Sequence, residues 1–183
     1  MRHKYVMRAF VLQRTPIKEA ATLVTLLTED FGLIRARAEG LRKPGAKLAS
    51  ALQTLSEAEV TLVRGKDGWR LSGALLGEDW FARLDRNSRL RAGRISGLLL
   101  RLVHGEASDP AIYAAYDEFL RRLPDLAEEA QDTLECLTAL RVLASLGLDS
   151  GPLPVLAHDI PLAPDARRDL VMRINRGIAA SGL

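Results

Sequence analysis

The sequence predicts an α+β protein, with a small five-stranded barrel at residues 1–80 followed by an all-helical domain at residues 81–183. Apolar residues recur with a period of two before about residue 80 and with a period of about 3.6 after it. Charge also divides the chain, because residues 1–80 carry 13 Lys and Arg against 9 Asp and Glu, whereas residues 81–183 carry 13 against 14. We therefore expect the first domain to face a polyanion and the second to pack, to dimerise or to meet protein partners.

The barrel half contains five short runs with the composition of strands. The first run is apolar on both faces and is expected to end at Thr15-Pro16. Gly32 and the Gly65–Gly68 turn separate later runs, because glycine adopts the positive φ that tight turns require. The runs are residues 4–13, 21–29, 33–39, 56–64 and 69–76. Five strands in about 75 residues suggest a small barrel.

The third run has the clearest alternation in the chain. Apolar and charged residues alternate from Ile34 to Glu39, which places Arg35 and Arg37 on the face away from the core. The chain then stays cationic, so that residues 35–47 hold five cations against one anion. The five cations are Arg35, Arg37, Arg42, Lys43 and Lys47. A solvated face is one interpretation; the other is a phosphate-binding surface, and four contacts to single-stranded phosphates would give a slope of log K against log salt of roughly −3.

The second half predicts four helices with recognisable boundaries. They lie at about residues 87–103, 110–123, 126–146 and 165–180. Asn87-Ser88 is expected to cap the first, Pro110 to open the second, and Gly147 to end the third. Residues 151–164 contain four prolines and are expected to form a loop.

The first predicted helix carries a second set of cations. Arg91, Arg94 and Arg101 fall within one arc of that helix. They suggest a secondary surface for DNA or a protein partner. Because the helical half also holds 14 acidic residues, a solvated face or pairing within the domain is the alternative.

Several motifs occur in an order that periodicity alone does not explain. They are LLTEDFGLIR at residues 26–35, the turn Ala38-Glu39-Gly40 followed by Leu-Arg-Lys, the KL…ALQ…S…EV pattern from Lys47 to Val60, and LTALRVLASLGLDSGPLPVL at residues 137–156. In this order and spacing they resemble the RecO family of recombinational-repair proteins, over roughly residues 5–156. The resemblance implies an OB-fold barrel followed by a helical domain, in agreement with the periodicity.

The resemblance implies a non-enzymatic function in recombinational repair. Proteins of this family bind single- and double-stranded DNA, anneal complementary strands and help RecA to replace single-strand-binding protein, usually together with RecR. It therefore implies DNA, RecR and the C-terminal tail of single-strand-binding protein (SSB) as partners, a functional link to RecA, and a cytoplasmic, nucleoid-associated location. The DNA contacts would map to Arg42, Lys43 and Lys47, with Arg35 and Arg37 on the adjoining strand.

Two features depart from the family pattern. Many members carry zinc-binding cysteines after the glycine-proline loop, but the corresponding region here reads VLAHDIPLAPD and contains no cysteine. His158 and Asp159 alone cannot supply the four ligands of a structural zinc site, so we expect a compact variant without metal or cofactor. Glu39 stands where the family often has a cation, and it lowers the local positive charge.

The sequence offers no support for catalysis or for membrane insertion. It contains no phosphate-cradling GxxxxGK[ST], no HExxH and no GxSxG motif, and Cys136 lies in an apolar helical segment. No apolar run reaches 18 residues, and a signal peptide is not supported. One cysteine excludes an internal disulfide and agrees with a cytoplasmic location.

Two other functions fit the same residues. The barrel could belong to an OB-type factor that binds RNA or acts in translation, or the protein could be an interaction scaffold. Strand annealing separates these alternatives from the first interpretation. Under the first, the Arg42→Ala and Lys43→Ala substitutions together should abolish annealing without unfolding the barrel.

Overall fold

The chain folds into two compact units, a β-barrel and a bundle of helices, which confirms the predicted fold class. The computed structural model describes residues 3–18, 21–41, 47–154 and 161–182, without the side chains of Lys18 and Lys47. The barrel unit comprises Met1–Arg83 and His104–Asp109, and the helical unit comprises Leu84–Val103 and Pro110–Leu183. The segment His104–Asp109 thus belongs to the barrel unit, although it falls between two predicted helices inside residues 81–183, which were assigned to the helical domain.

Five strands close the barrel. They are β1 (Lys4–Lys18), β2 (Ala21–Thr28), β3 (Gly32–Glu39), β4 (Ser56–Gly65) and β5 (Gly68–Asp79). Their order around the barrel is β1-β2-β3-β5-β4, and β4 returns to pair with β1. Among the described strands, the β3–β5 pair is parallel and the other four pairs are antiparallel. This is the five-stranded barrel of the OB-fold. Two short helices belong to this unit, α1 (Lys47–Ala51) between β3 and β4 and α2 (Trp80–Arg83) after β5.

The predicted end of the first strand is wrong. Strand β1 continues through Pro16 to Lys18, and Pro16 lies opposite Thr22 of β2. The register shifts between Pro16 and Lys18. A proline has no N–H to donate to a partner strand, but it is accepted where the ladder is irregular. Proline at such an irregularity does not end the strand, and its sequence signal alone could not show this.

The predicted alternation of β3 is confirmed. Ile34, Ala36 and Ala38 are fully buried in the barrel core, whereas Arg35 and Arg37 are exposed. The core also receives residues from every other strand, including Val11, Leu26, Val60, Leu62 and Leu71. Because the inward set of β3 is fixed by its small apolar side chains, a register slip of one residue would bury its arginines. The barrel core therefore fixes the direction in which those two cations point.

The helical unit contains all four predicted helices. They are α3 (Arg86–Leu102), α4 (Pro110–Arg122), α5 (Glu128–Ser145) and α6 (Pro164–Ala180), with a 3-10 turn at Leu123–Asp125. Pro110 opens α4 as expected, and Gly147 follows α5 with a φ of 70° while the Leu148 amide donates to the Leu143 carbonyl at 2.9 Å. Among the described helices, none is long and apolar enough to cross a membrane.

Two predicted boundaries in this unit need correction. The residue that caps α3 is Asp85, not Asn87 or Ser88, because the Asp85 carboxylate accepts a hydrogen bond from the Ser88 amide at 2.7 Å. Ser88 instead lies inside the first turn, where its hydroxyl donates to Gln131. Pro164 is the first residue of α6 rather than part of the loop. Within that predicted loop, residues 155–160 lie outside the described residues.

Candidate nucleic-acid interface

A basic groove runs along the barrel where β5 meets β3 and β4. Its volume is about 640 Å³, and it is lined by Arg37, Glu39 and residues 63–70. Four cations and two acids are among the lining side chains. The cations are Arg37, Arg64, Lys66 and Arg70, and the acids are Glu39 and Asp67. We call this set of lining residues the basic groove.

Strand register brings these cations together. Arg37 lies opposite Arg70 across the parallel β3–β5 pair, and Arg70 lies opposite Val63 of β4. Arg64 follows Val63 and pairs with Trp69, and the Gly65–Gly68 turn then presents Lys66. Gly68 has a φ of 102°, a conformation that side-chain-bearing residues rarely adopt. The groove therefore depends on one non-local strand pair and one tight turn.

The cations differ in how far neighbouring acids neutralise them. Arg37 approaches Glu39 at 3.5 Å, with both side chains about half exposed or more. Arg64 is bonded to the Glu106 carboxylate, and Lys66 and Arg70 have no carboxylate partner among the described residues. Exposed ion pairs are weak, of the order of 0–1 kcal/mol, so a phosphate can compete with them. The groove is a surface on which anions can bind.

Aromatic side chains lie at the same end of the barrel, but they pack against each other. Tyr5 and Trp69 meet edge to face at 5.3 Å between ring centroids, and Phe31 contacts both. Trp69 is only 5% exposed, and its indole N–H donates to Glu106 at 2.9 Å. Its ring also lies beneath the Arg64 guanidinium, 5.1 Å from the centroid. These rings serve the core, and Trp69 offers no open face for stacking a base.

The structure places the predicted site residues in different ways. Arg35 and Arg37 both lie exposed on β3, and Arg37 lines the basic groove. Arg42 and Lys43 lie outside the described residues. Lys47 begins α1, and its side chain is likewise outside the description. Of the five predicted cations, the structure brings Arg37 into the groove and does not place Arg35 among its lining residues.

Sequence reasoning missed three groove residues, Arg64, Lys66 and Arg70. The hairpin turn itself was recognisable, and a cation just before a glycine-bounded turn with a second cation inside it is a signal that points to Arg64 and Lys66. The contribution of Arg70 follows from its position opposite Arg37, across strands far apart in the sequence. Local periodicity carries no information about such a pair.

The helical cations have a different environment. Arg91 and Arg94 of α3 bond to carboxylates of α5, with the shortest Arg91 contact at 2.7 Å to Glu135. Arg167 of α6 bonds to Asp132 at 2.6 Å, and Arg91 approaches the same carboxylate at 3.3 Å. We call Arg91, Arg94, Asp132, Glu135 and Arg167 the arginine–carboxylate cluster. Arg101 is exposed in the last turn of α3 and does not take part in the bonds of this cluster.

The charges within this cluster shift the pKa values of its members. Burial raises the pKa of Asp132, but the hydrogen bonds and charges of Arg167 and Arg91 outweigh burial and hold the pKa below its usual value. The hydrogen bond from Arg94 to Glu135 raises the pKa of Arg94. Arg91 is the most enclosed of the three arginines, with 13% of its side chain exposed. In this cluster the arginines link three helices. Their guanidinium groups are already bonded to carboxylates, so they are less available to phosphates.

The remaining reactive groups do not form a catalytic arrangement among the described residues. Burial and the nearby Asp132 and Glu135 raise the pKa of Cys136 to about 11, which keeps its thiol protonated near neutral pH. No group of three or more His, Cys, Asp or Glu side chains in the described part of the chain could hold a metal ion. His158 and Asp159 lie outside the described residues.

Comparisons with known proteins identify the barrel. Residues 1–74 match the family model described as Recombination protein O N terminal. The chain is 31% identical over 153 residues to the DNA repair protein RecO of Alkalilimnicola ehrlichii, covering 78% of this chain and 54% of that protein. It is 34% identical over 166 residues to the DNA repair protein RecO of Xylella fastidiosa (strain M23), covering 87% of this chain and 64% of that protein.

A third relative agrees. The DNA repair protein RecO of Dehalococcoides mccartyi (strain ATCC BAA-2100) is 29% identical over 151 residues, which cover 79% of this chain and 57% of the relative. The chain thus spans between about half and two thirds of the length of these three relatives. The matches include the OB-type barrel and extend into the helical unit. Residues 1–74 thus match the amino-terminal domain of the RecO family, and the chain is similar to DNA repair proteins RecO over most of its length.

Proposed function

We propose that this protein is a non-enzymatic DNA-binding protein of recombinational repair. It binds single- and double-stranded DNA, anneals complementary strands and assists the loading of RecA onto DNA coated by single-strand-binding protein. The observation that carries the proposal is the basic groove on a barrel that matches the RecO amino-terminal family. Similarity to the family suggests the activity, and the groove supplies the surface that would bind DNA.

The groove suits a phosphate backbone better than a base. Its cations lie on three neighbouring strands and one turn, so successive phosphates can meet successive cations. Each phosphate that Lys or Arg neutralises releases condensed counterions, which gives affinity without sequence reading. Because Trp69 has no open face for a base, binding relies on charge more than on stacking. Such a site does not distinguish a strand from its complement, so it can bind both of the strands that annealing brings together.

The cations of residues 35–47 extend the proposed surface. Arg35 lies on the exposed face of β3, two residues before Arg37. We keep Arg42, Lys43 and Lys47 in the DNA-binding surface because the chain reaches them directly after β3. Arg91 and Arg94 are weaker candidates, since carboxylates already satisfy their guanidinium groups. Arg101 stays a candidate for a secondary contact.

The proposed partners follow from the family. They are RecR, the C-terminal tail of single-strand-binding protein and, functionally, RecA, and the protein would act in the cytoplasm at the nucleoid. The relatives' printed name, DNA repair protein RecO, agrees with this setting. A pull-down of the purified protein with RecR and with a peptide of the SSB tail tests these partners separately from DNA.

Binding and annealing assays with one preparation test the central activity. We expect the protein to retard single- and double-stranded DNA at low salt and to accelerate pairing of two complementary oligonucleotides. The Arg37→Ala and Arg70→Ala substitutions together should weaken binding about tenfold and slow annealing. Arg168→Ala, which removes one exposed arginine from α6, should leave both activities unchanged.

The same assays distinguish the alternatives. Tight binding of RNA without acceleration of DNA pairing would favour an RNA-binding factor of the same barrel type. Failure to retard either nucleic acid at low salt would contradict the proposal and favour an interaction scaffold. A groove variant that binds and anneals as well as the wild-type protein would place the DNA site elsewhere.

A further inference from the structure

The segment His104–Asp109 places a carboxylate on two residues of the basic groove. One oxygen of Glu106 accepts the indole N–H of Trp69 at 2.9 Å, and the other is bonded to the Arg64 guanidinium. Both donors belong to residues that line the groove. A guanidinium and an N–H directed at one negatively charged group form an oxyanion site, and a phosphate oxygen satisfies the same donors.

The backbone of this segment is fixed to the barrel. The Ser108 hydroxyl donates to the carbonyl of Glu29 at 3.0 Å. Beside it, the Ala107 carbonyl passes so close to Gly32 that a Cβ on Gly32 would lie 2.2 Å from the oxygen. Gly32 also has a φ of 64°. Glycine is therefore required at this position both by the backbone conformation and by the close approach of the Ala107 carbonyl. The segment therefore keeps Glu106 beside the groove.

The Glu106 side chain, by contrast, is exposed enough to move away from Arg64 and Trp69 into solvent. It is 38% exposed, and the Arg64 side chain is 55% exposed. An ion pair this open to water contributes little to the stability of the fold. An incoming phosphate therefore has to displace only the Glu106 side chain and not the backbone of the segment. The buried indole N–H of Trp69 then gains a phosphate oxygen in exchange for the carboxylate oxygen, and no polar group is left unsatisfied.

We propose that Arg64 and the Trp69 indole N–H form a phosphodiester site that Glu106 occupies when nucleic acid is absent, so that Glu106 competes with the DNA backbone and sets its affinity. This inference rests on the proposed function, because it assigns one phosphate position within the same groove. Glu106 is neither a ligand of DNA nor a structural requirement of the barrel. It is a built-in competitor, supplied by a segment that the sequence alone assigns to the helical half.

The Glu106→Gln substitution tests the competition. Glutamine keeps an oxygen for the Trp69 N–H but removes the charge that holds Arg64. We expect binding of a single-stranded oligothymidylate to tighten roughly three- to tenfold at low salt, with a smaller gain at high salt. The matched control is Glu59→Gln, which removes the same charge from an exposed position on β4 and should change the affinity less than twofold.

A double-mutant cycle and a spectrum make the test specific. In the Arg64→Ala background, Glu106→Gln should have no further effect, since the shared partner is gone. In the wild-type protein, oligothymidylate should shift the Trp69 indole N–H resonance, which is the resonance that Glu106→Gln also shifts.

The outcomes separate the two proposals. An affinity of Glu106→Gln that matches or falls below that of Glu59→Gln, or an indole resonance unmoved by DNA, overturns this inference while the proposed function stands. Absence of DNA binding by both the wild-type protein and Glu106→Gln overturns the proposed function, and this inference with it.

Discussion

The two units of this protein use arginine in opposite ways. In the barrel, Arg37 and Arg70 lie side by side on neighbouring strands, exposed and with few acids nearby. In the helical unit, Arg91 is enclosed and bonded to Asp132 and Glu135. The numbers of Lys and Arg in the two halves of the sequence are equal, at 13 each. Pairing, not number, decides which arginines are available to an external anion and which stabilise the fold.

The largest expected effect is on stability and concerns Arg91. Arg91→Ala leaves the partly buried carboxylates of Asp132 and Glu135 with one partner fewer, so the free energy of unfolding should fall by about 2 kcal/mol. Urea unfolding followed by circular dichroism measures the change. The matched control is Arg168→Ala, because its ion pair with Asp165 is largely exposed, and it should change the stability by less than about 0.5 kcal/mol. Equal effects of the two substitutions would remove the distinction between the units.

Acid should act on the same cluster. The pKa of Asp132 is lowered in the folded protein, so its ion pairs stabilise the fold above the unfolded-state pKa of about 4 and are lost as the pH falls through the folded value. Stability should therefore stay level between about pH 7 and 5 and decline below about pH 4. In Asp132→Asn the decline should be shallower. An unfolding series at several pH values checks this, and an identical decline in both proteins would contradict it.

The smallest expected effect concerns Glu39, the acid within the basic groove. Glu39 approaches Arg37 at 3.5 Å, and both side chains are exposed, so their mutual attraction is weak. Glu39→Gln should tighten DNA binding about twofold at low salt and should have no measurable effect at high salt. Fluorescence anisotropy with a labelled oligonucleotide resolves a change of this size. Weaker binding by the variant would indicate that Glu39 positions Arg37 instead of neutralising it.

Much of the fold could be predicted from the sequence because its signals are local. The alternation of Ile34 with Arg35 follows from strand geometry, and Pro110 and Gly147 are helix boundaries with a known physical cause. The capping residue of α3 was missed because Asp85, Asn87 and Ser88 are all good caps, and only the hydrogen bond to the Ser88 amide distinguishes them.

The candidate site was harder to predict from the sequence, because its residues come together only in the tertiary structure. Arg37 was found because it lies on an alternating strand, but Arg70 joins it through a parallel pairing that no local pattern encodes. The place of Glu106 beside Arg64 depends on a segment that crosses back to the barrel after α3. The pairing of Arg91 with Glu135 likewise requires two helices to be packed. Charge patterns in sequence give candidates, and tertiary structure decides which are neutralised.

The salt dependence of DNA binding tests the central claim most directly. The claim is that the exposed barrel cations, whose acidic neighbours hold them weakly, bind phosphates, while the helical arginines that are bonded to enclosed carboxylates do not. With about four phosphate contacts, the slope of log K against log salt for single-stranded DNA should be roughly −3, and Arg37→Ala with Arg70→Ala should reduce its magnitude to roughly 1.5. Arg94→Ala should leave the slope unchanged. A slope near zero for the wild-type protein, or a slope that falls with Arg94→Ala and not with the groove variant, would contradict the account.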